Sequence, residues 1–253
     1  MSQKHFDFWP AGLPRNITVP ATNLFYNLEV SATRYPDKPY VIFFEAELTF
    51  GRFKDEAECI AGFLQQDCAV APGDRVLLVM QNSPQFILAY YGILRANAVV
   101  VPVNPMSVTS ELEHYVRDSG AKVALIAQEV YPQVQPLIGE HLERLVVTAY
   151  SEYINPATTL RMPEIVSAPR KAITDPGVTS WADALAAKRS PGPLTMGFED
   201  LCVIPYSSGT TGRPKGCMLT HHNVMHTLIT NGFWFGGNSD TSQLVVLPFF
   251  HVT

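Results

Sequence analysis

Short apolar runs recur through the middle of the chain, separated by stretches with helical spacing. Gly73-Asp-Arg-Val-Leu-Leu-Val-Met80 reads as a turn followed by a buried strand. Asn82 or Ser83 can cap the helix that follows, and Pro84 suits its first turn. That helix carries Phe86, Leu88, Ala89, Tyr90 and Ile93 and is apolar on most faces. Ala98–Val103 is the next strand pattern. Ser110-Glu-Leu-Glu113 has the spacing of a capping box, with Gly120 as a natural C-terminal stop. Lys122–Ala127, Arg144–Thr148 and Leu201–Ile204 are further strand patterns, and Cys217–Leu219 a short one. Apolar strands alternating with helices predict an α/β fold, an open and mostly parallel sheet covered by helices on both faces.

Two stretches depart from this rhythm. Residues 1–72 are expected to form an extension and a helical and strand lead-in that packs on the main region, 73–253. Residues 151–179 are punctuated by Asn155-Pro156, Met162-Pro163, Ala168-Pro169 and Asp175-Pro-Gly177, the mark of a connection over the surface. After it, Ser180-Trp-Ala-Asp183 is a capping pattern for a helix Trp181–Lys188, ended by Ser190-Pro-Gly-Pro193. There is no internal repeat and no low-complexity tract.

Composition narrows the function classes. A chain of 253 residues that is 47% hydrophobic has ample material for a core. A net charge of −5, with Lys and Arg scattered, argues against a nucleic-acid footprint and a polybasic membrane tail. No apolar stretch reaches the length of a membrane-spanning helix, and the N-terminus has no secretory pattern. Cys59, Cys68, Cys202 and Cys217 lack C-x-x-C spacing, which reads as reduced thiols and a cytoplasmic setting.

The densest chemistry lies in Tyr206-Ser-Ser-Gly-Thr-Thr-Gly-Arg-Pro-Lys-Gly216, with three glycines, four Ser or Thr hydroxyls, one lysine and no acid. A Walker A loop would need glycine at Pro214 and a hydroxyl after Lys215; a dinucleotide fingerprint would need one residue, not two, between Gly209 and Gly212. Both fail. Gly209, Gly212 and Gly216 allow positive φ and close approach to an anion. Ser207, Ser208, Thr210 and Thr211 offer hydroxyls to phosphate oxygens or to a magnesium ion bound with them, and Lys215 offers a point charge for the β- or γ-phosphate. Pro214 stiffens the segment, and Arg213 is read as solvated. Composition alone leaves a mobile surface turn equally open.

The loop resembles the signature of the adenylate-forming superfamily, which includes acyl-CoA synthetases, peptide-synthetase adenylation domains and luciferases. Three further stretches resemble that family's segments in order: Leu48-Thr-Phe-Gly-Arg-Phe-Lys-Asp-Glu-Ala57, Gly92–Pro105 with Asn97 where a glycine is usual, and Leu247-Pro-Phe-Phe-His-Val252. The start of the chain, through Trp9-Pro-Ala-Gly-Leu-Pro14 and Arg34-Tyr-Pro-Asp-Lys-Pro39, is most similar to bacterial medium- and long-chain fatty-acid–CoA ligases. The resemblance implies the first part of a large N-terminal domain, with ATP, Mg2+ and coenzyme A as cofactors and a carboxylic acid, a fatty acid foremost, as substrate. A carboxylate attacks the α-phosphorus, pyrophosphate leaves, and coenzyme A then displaces AMP. It gives Ser207, Ser208, Gly209, Thr210, Thr211, Gly212, Lys215 and Gly216 the phosphates, and Ser207, Thr210 and Thr211 a share in magnesium. His251, read as following an apolar strand, is to orient the substrate carboxylate. The 253 residues are expected to be an N-terminal portion, inactive alone. An aryl-CoA ligase, an amino-acid adenylation domain and a non-catalytic nucleotide-binding or scaffolding module are the alternatives; peripheral membrane contact and a homodimer are compatible with the composition.

Two further features invite chemistry. His221, His222 and His226 suggest zinc, with 222 and 226 one helical turn apart, but no acid or cysteine completes the set. The run Gly232-Phe-Trp-Phe-Gly-Gly237 suits either an apolar tunnel wall or core.

Overall fold

A computed structural model describes residues 4–207 and 212–251. Helix α1 (Phe25–Arg34) leads into a hairpin of β1 (Pro39–Phe43) and β2 (Ala46–Thr49), then α2 (Phe50–Gln66). An alternating region follows: β3 (Arg75–Val79), α3 (Pro84–Arg95), β4 (Val99–Pro102), α4 (Thr109–Ser119), β5 (Val123–Ala127), α5 (Tyr131–Val134) and β6 (Arg144–Thr148). The surface connection holds the single-turn α6 (Glu164–Ser167) before β7 (Val178–Ser180) and α7 (Trp181–Ala186). The chain then returns through β8 (Leu201–Val203), a small hairpin of β9 (Tyr206–Ser207) and β10 (Lys215–Gly216), β11 (Leu219–Thr220) and α8 (His221–Phe235).

Seven strands form one sheet in the order β11-β8-β4-β3-β5-β6-β7, parallel throughout except for β11. Alternation along β3 shows why its sequence reads as one unbroken apolar run. Val76 and Leu78 face a core with Ile60, Leu88 and Ile93 of α2 and α3, whereas Leu77 and Val79 face a second core with Leu112, Val116 and Val134. A strand covered on both faces has no polar side to display.

Local signals set the helix ends. Ser83, not Asn82, caps α3, accepting the Phe86 N–H at 3.2 Å. Helix α4 begins two residues earlier than its capping pattern implied, with Val108 rather than Ser110 at the N-cap. Ser110 lies in the first turn, and the Glu111 carboxylate accepts the N–H of Val108 at 3.1 Å, so the acid satisfies an end group without the expected serine. Gly120 closes α4 with φ +68°. Helix α7 stops at Ala186, short of the expected Lys188, which itself takes a φ of +47°.

The place where glycine is usual is filled by Asn97, buried at φ +62°. Asparagine tolerates this left-handed geometry better than most side chains. Here its amide also works as a clasp: Oδ1 accepts the N–H groups of Thr195 (2.7 Å) and Met196 (3.0 Å), and Nδ2 donates to the Pro193 carbonyl (2.9 Å). The segment entering β8 is thereby fixed beside the turn entering β4.

Candidate functional site

The signature loop leaves the carboxyl end of β8, which runs parallel to β4, so it opens on the edge of the sheet where ligands of open α/β folds collect. Its arms pair as a two-rung antiparallel ladder, Ser207 with Lys215 and Tyr206 with Gly216. Ser207 and Lys215 are both exposed at the last rung. Gly212 has φ +135°, as a turn glycine should. Gly216 has an ordinary φ and is needed for another reason: a Cβ there would come within 2.7 Å of Ile204 Cγ2 and 3.3 Å of Tyr206 Cζ. Its value is close packing under the loop, which corrects its reading as a positive-φ position. Ser208, Gly209, Thr210 and Thr211 lie outside the described residues.

The base of the loop is built on tyrosine. The Tyr206 ring meets Tyr115 of α4 edge-on, with centroids 4.7 Å apart, and its hydroxyl donates to Asp118 Oδ2 at 2.7 Å. Burial, and then the adjoining carboxylate, push the Tyr206 phenol well above its ordinary range, so it stays a neutral donor. On the other arm, His114 Nε2 lies 3.0 Å from the Pro214 carbonyl oxygen. A carbonyl only accepts, so Nε2 carries the proton. Arg213 is exposed, in keeping with its solvated reading.

The segment Leu247–His251 is placed by a residue that sequence reasoning considered only as a cap. Asn82, just past the carboxyl end of β3, donates to the Leu247 carbonyl (2.7 Å) and accepts the Phe249 N–H (2.8 Å). Phe249 also sits 5.4 Å from the Phe86 ring. His251 closes a turn, its N–H on the Pro248 carbonyl at 3.2 Å, and its side chain is exposed. No strand forms over Leu244–Leu247, contrary to the apolar-strand expectation, and His251 is not a core histidine. The physical reason is exposure: Leu244 and Val246 are 86% and 74% exposed, and an apolar strand needs neighbours to bury it. The loop and the histidine segment thus share one edge of the sheet, at β8 and β3 with β4 between them, about 10 Å apart at ordinary strand spacing.

Beside Asn82, Gln81 donates its N–H to the Tyr150 hydroxyl (2.8 Å), which donates to Glu129 Oε1 (2.7 Å). Burial raises the Glu129 carboxyl above its usual range. This network ties the carboxyl ends of β3, β5 and β6 into a rigid floor.

The three histidines diverge. His221 is buried with Nδ1 accepting the Leu24 N–H at 3.1 Å, and His222 stacks on Phe198 with ring centroids 4.1 Å apart. Among the described residues no group of three His, Cys, Asp or Glu side chains gathers as a metal site. The aromatic run is not core in this chain: Phe233, Trp234 and Phe235 are exposed, Trp234 resting edge-on against Trp9. No helix among the described residues is long and apolar enough to cross a membrane.

Residues 28–253 match the family described as AMP-binding enzyme. The long-chain-fatty-acid–CoA ligase of Bacillus subtilis is 28% identical over 96% of this chain, and that of Salmonella typhimurium 30% over the same share; each match covers 45% of the relative. The crystal structure of a long-chain-fatty-acid–CoA ligase from Archaeoglobus fulgidus shares the fold, with TM-score 0.74 and 23% identity over 96% of this chain and 45% of that one. The chain therefore spans about half the length of the curated relatives it matches.

Proposed function

The chain belongs to the AMP-binding enzyme family, and on that premise we propose that it carries the triphosphate-gripping part of an ATP-dependent fatty-acid–CoA ligase. The observation that carries the proposal is the hairpin at the carboxyl end of β8, with exposed Lys215 and Ser207 opposite each other above a packed tyrosine base. Relatives named as long-chain-fatty-acid–CoA ligases support the acyl class.

In this reading Lys215 and the hydroxyls of Ser207, Ser208, Thr210 and Thr211 surround the β- and γ-phosphates, with Gly209 and Gly212 giving the backbone close approach. The substrate carboxylate, ionised at neutral pH and needing no base, attacks the α-phosphorus. Negative charge builds on the departing pyrophosphate, where a fixed cation and hydroxyl dipoles stabilise it without reorganising. His251 orients the carboxylate, its segment held to Asn82. The coenzyme A thiol then displaces AMP. Magnesium suits hard oxygen ligands such as the hydroxyls of Ser207, Thr210 and Thr211, and among the described residues no thiolate or imidazole cluster favours a softer metal. When bound, it neutralises phosphate charge.

Exchange of labelled pyrophosphate into ATP by the full-length protein, run against fatty, aromatic and amino acids, tests the proposal. Exchange dependent on a fatty acid is expected, and Lys215→Ala is expected to lower it by about 100-fold, the scale for removing one transition-state donor. Exchange supported only by aromatic or amino acids would overturn the substrate class, and exchange indifferent to Lys215→Ala would overturn the role of the loop.

A further inference from the structure

Both arms of the signature loop are fastened to the same helix. Tyr206 begins one arm and lies against Tyr115 and Asp118; Pro214 precedes the other and meets His114. His114 and Asp118 are four residues apart and so share a face of α4, with Tyr115 adjoining it. The helix itself is anchored through Leu112 and Val116, both buried in the core beneath the sheet. A ladder of two rungs is marginal by itself, since isolated hairpins barely hold in water even when longer. Its geometry must come from what it leans on.

We infer that α4 is the mount of this loop, with His114 and Asp118 as positioning residues that hold its arms in register and so set where Lys215 stands. The peptide bond places Lys215 one residue from the carbonyl that His114 grips, within about 3.8 Å between Cα atoms. A shift of the Pro214 carbonyl therefore carries directly into the lysine. The Tyr206 hydroxyl turns the Asp118 carboxylate toward itself, which keeps that charge hydrogen-bonded at the loop's base. Neither residue needs to touch phosphate. The inference rests on the loop being a triphosphate grip, and its test separates the two ideas.

The test uses His114→Ala, His114→Gln, Tyr206→Phe and Asp118→Asn in the full-length protein. One readout is the split of KM for ATP against KM for the carboxylate. The other is tryptic cleavage of the Lys215–Gly216 bond, since the bond between Arg213 and Pro214 resists trypsin. His114→Ala and Tyr206→Phe are each expected to raise KM for ATP by about 3- to 10-fold, the worth of one lost hydrogen bond, and to speed cleavage by a similar factor. KM for the carboxylate should not move. His114→Gln keeps a donor and Asp118→Asn keeps an acceptor, so both should restore near-native values. Unchanged KM for ATP and unchanged cleavage in His114→Ala and Tyr206→Phe would overturn the mount. So would parallel rises in both KM values with a lowered thermal midpoint, uncorrected by the conservative variants. If Mg-ATP and pyrophosphate fail to protect the native Lys215–Gly216 bond, the triphosphate reading fails instead, while the cleavage rates of the variants without nucleotide still decide the mount.

Discussion

His221 shows how far one side chain's surroundings can differ from its apparent motif. Grouped with His222 and His226 it suggests a metal; in place, it is 1% exposed and holds the N–H of Leu24, nearly two hundred residues away. Burial lowers its pKa to about 4 from the ordinary 6.5, with Asp200 pulling weakly the other way. A depressed histidine pKa means the unfolded chain takes up a proton that the native state refuses. The contribution to stability is complete above about pH 6.5 and is lost as pH falls toward 4, with a slope of at most about 1.4 kcal/mol per pH unit. Protonation at Nδ1 would also remove the acceptor that Leu24 needs. His221→Gln retains an acceptor and does not titrate. Urea unfolding between pH 7 and 4 should therefore show the native protein losing stability faster than the variant; parallel curves would refute the assignment. Asn97 is the complementary case. Its standing where a glycine is usual was legible, but the left-handed turn it keeps and its amide's grip on residues 193–196 were not, because nothing in a sequence links positions so far apart.

At the scale of elements, two helical glycines of equal intrinsic cost are expected to respond oppositely to alanine. Gly62 on α2 faces the tail after α7, and a Cβ there would stand 2.4 Å from the Arg189 carbonyl oxygen, a backbone atom that cannot swing aside. The tail is held in place by Arg189 on Asp67 and by Gln66 on the Ser190 carbonyl. Overpacking costs about 1–3 kcal/mol, more than the roughly 1 kcal/mol that alanine gains over glycine in a helix. Among the described residues nothing lies within 4 Å of a would-be Cβ at Gly232 on α8, so alanine there keeps the helix gain. Urea midpoints should fall for Gly62→Ala and rise for Gly232→Ala; a fall for both would mean that α8 is not a regular helix at that point. The alternation of strands and helices was readable because the apolar runs at the centre of the sheet are buried on both faces, as along β3. The start of α4 was misplaced by two residues because Glu111 serves an end group whether or not a serine stands before it. The mount of the signature loop on α4 was invisible for a different reason: its contacts span 88 and 100 residues, and tyrosine, aspartate and histidine at those spacings form no local pattern.

For the whole molecule, the distribution of apolar surface matters more than its amount. The two cores around the sheet are closed, yet Leu228, Phe233, Trp234 and Phe235 of α8, with Leu244, Val246 and Leu247 after it, are each about half exposed or more. Scattered apolar side chains need no explanation, but a run of them concentrated in one part of the chain marks a surface suited to being covered. The matched relatives are about twice as long as these 253 residues, which leaves ample further chain in such proteins to cover that surface. Residues 1–253 produced alone are therefore expected to bind an apolar dye such as ANS and to self-associate in sedimentation. Replacing Leu244, Val246 and Leu247 together by serine should weaken both effects without lowering the unfolding midpoint, since these side chains contribute little to either core. A native 253-residue chain that stays monomeric and leaves the dye dark would mean this surface finds its cover within the chain itself. In that case α8 and the segment after it must pack differently from the arrangement described, and the placement of His251 would have to be drawn again with them.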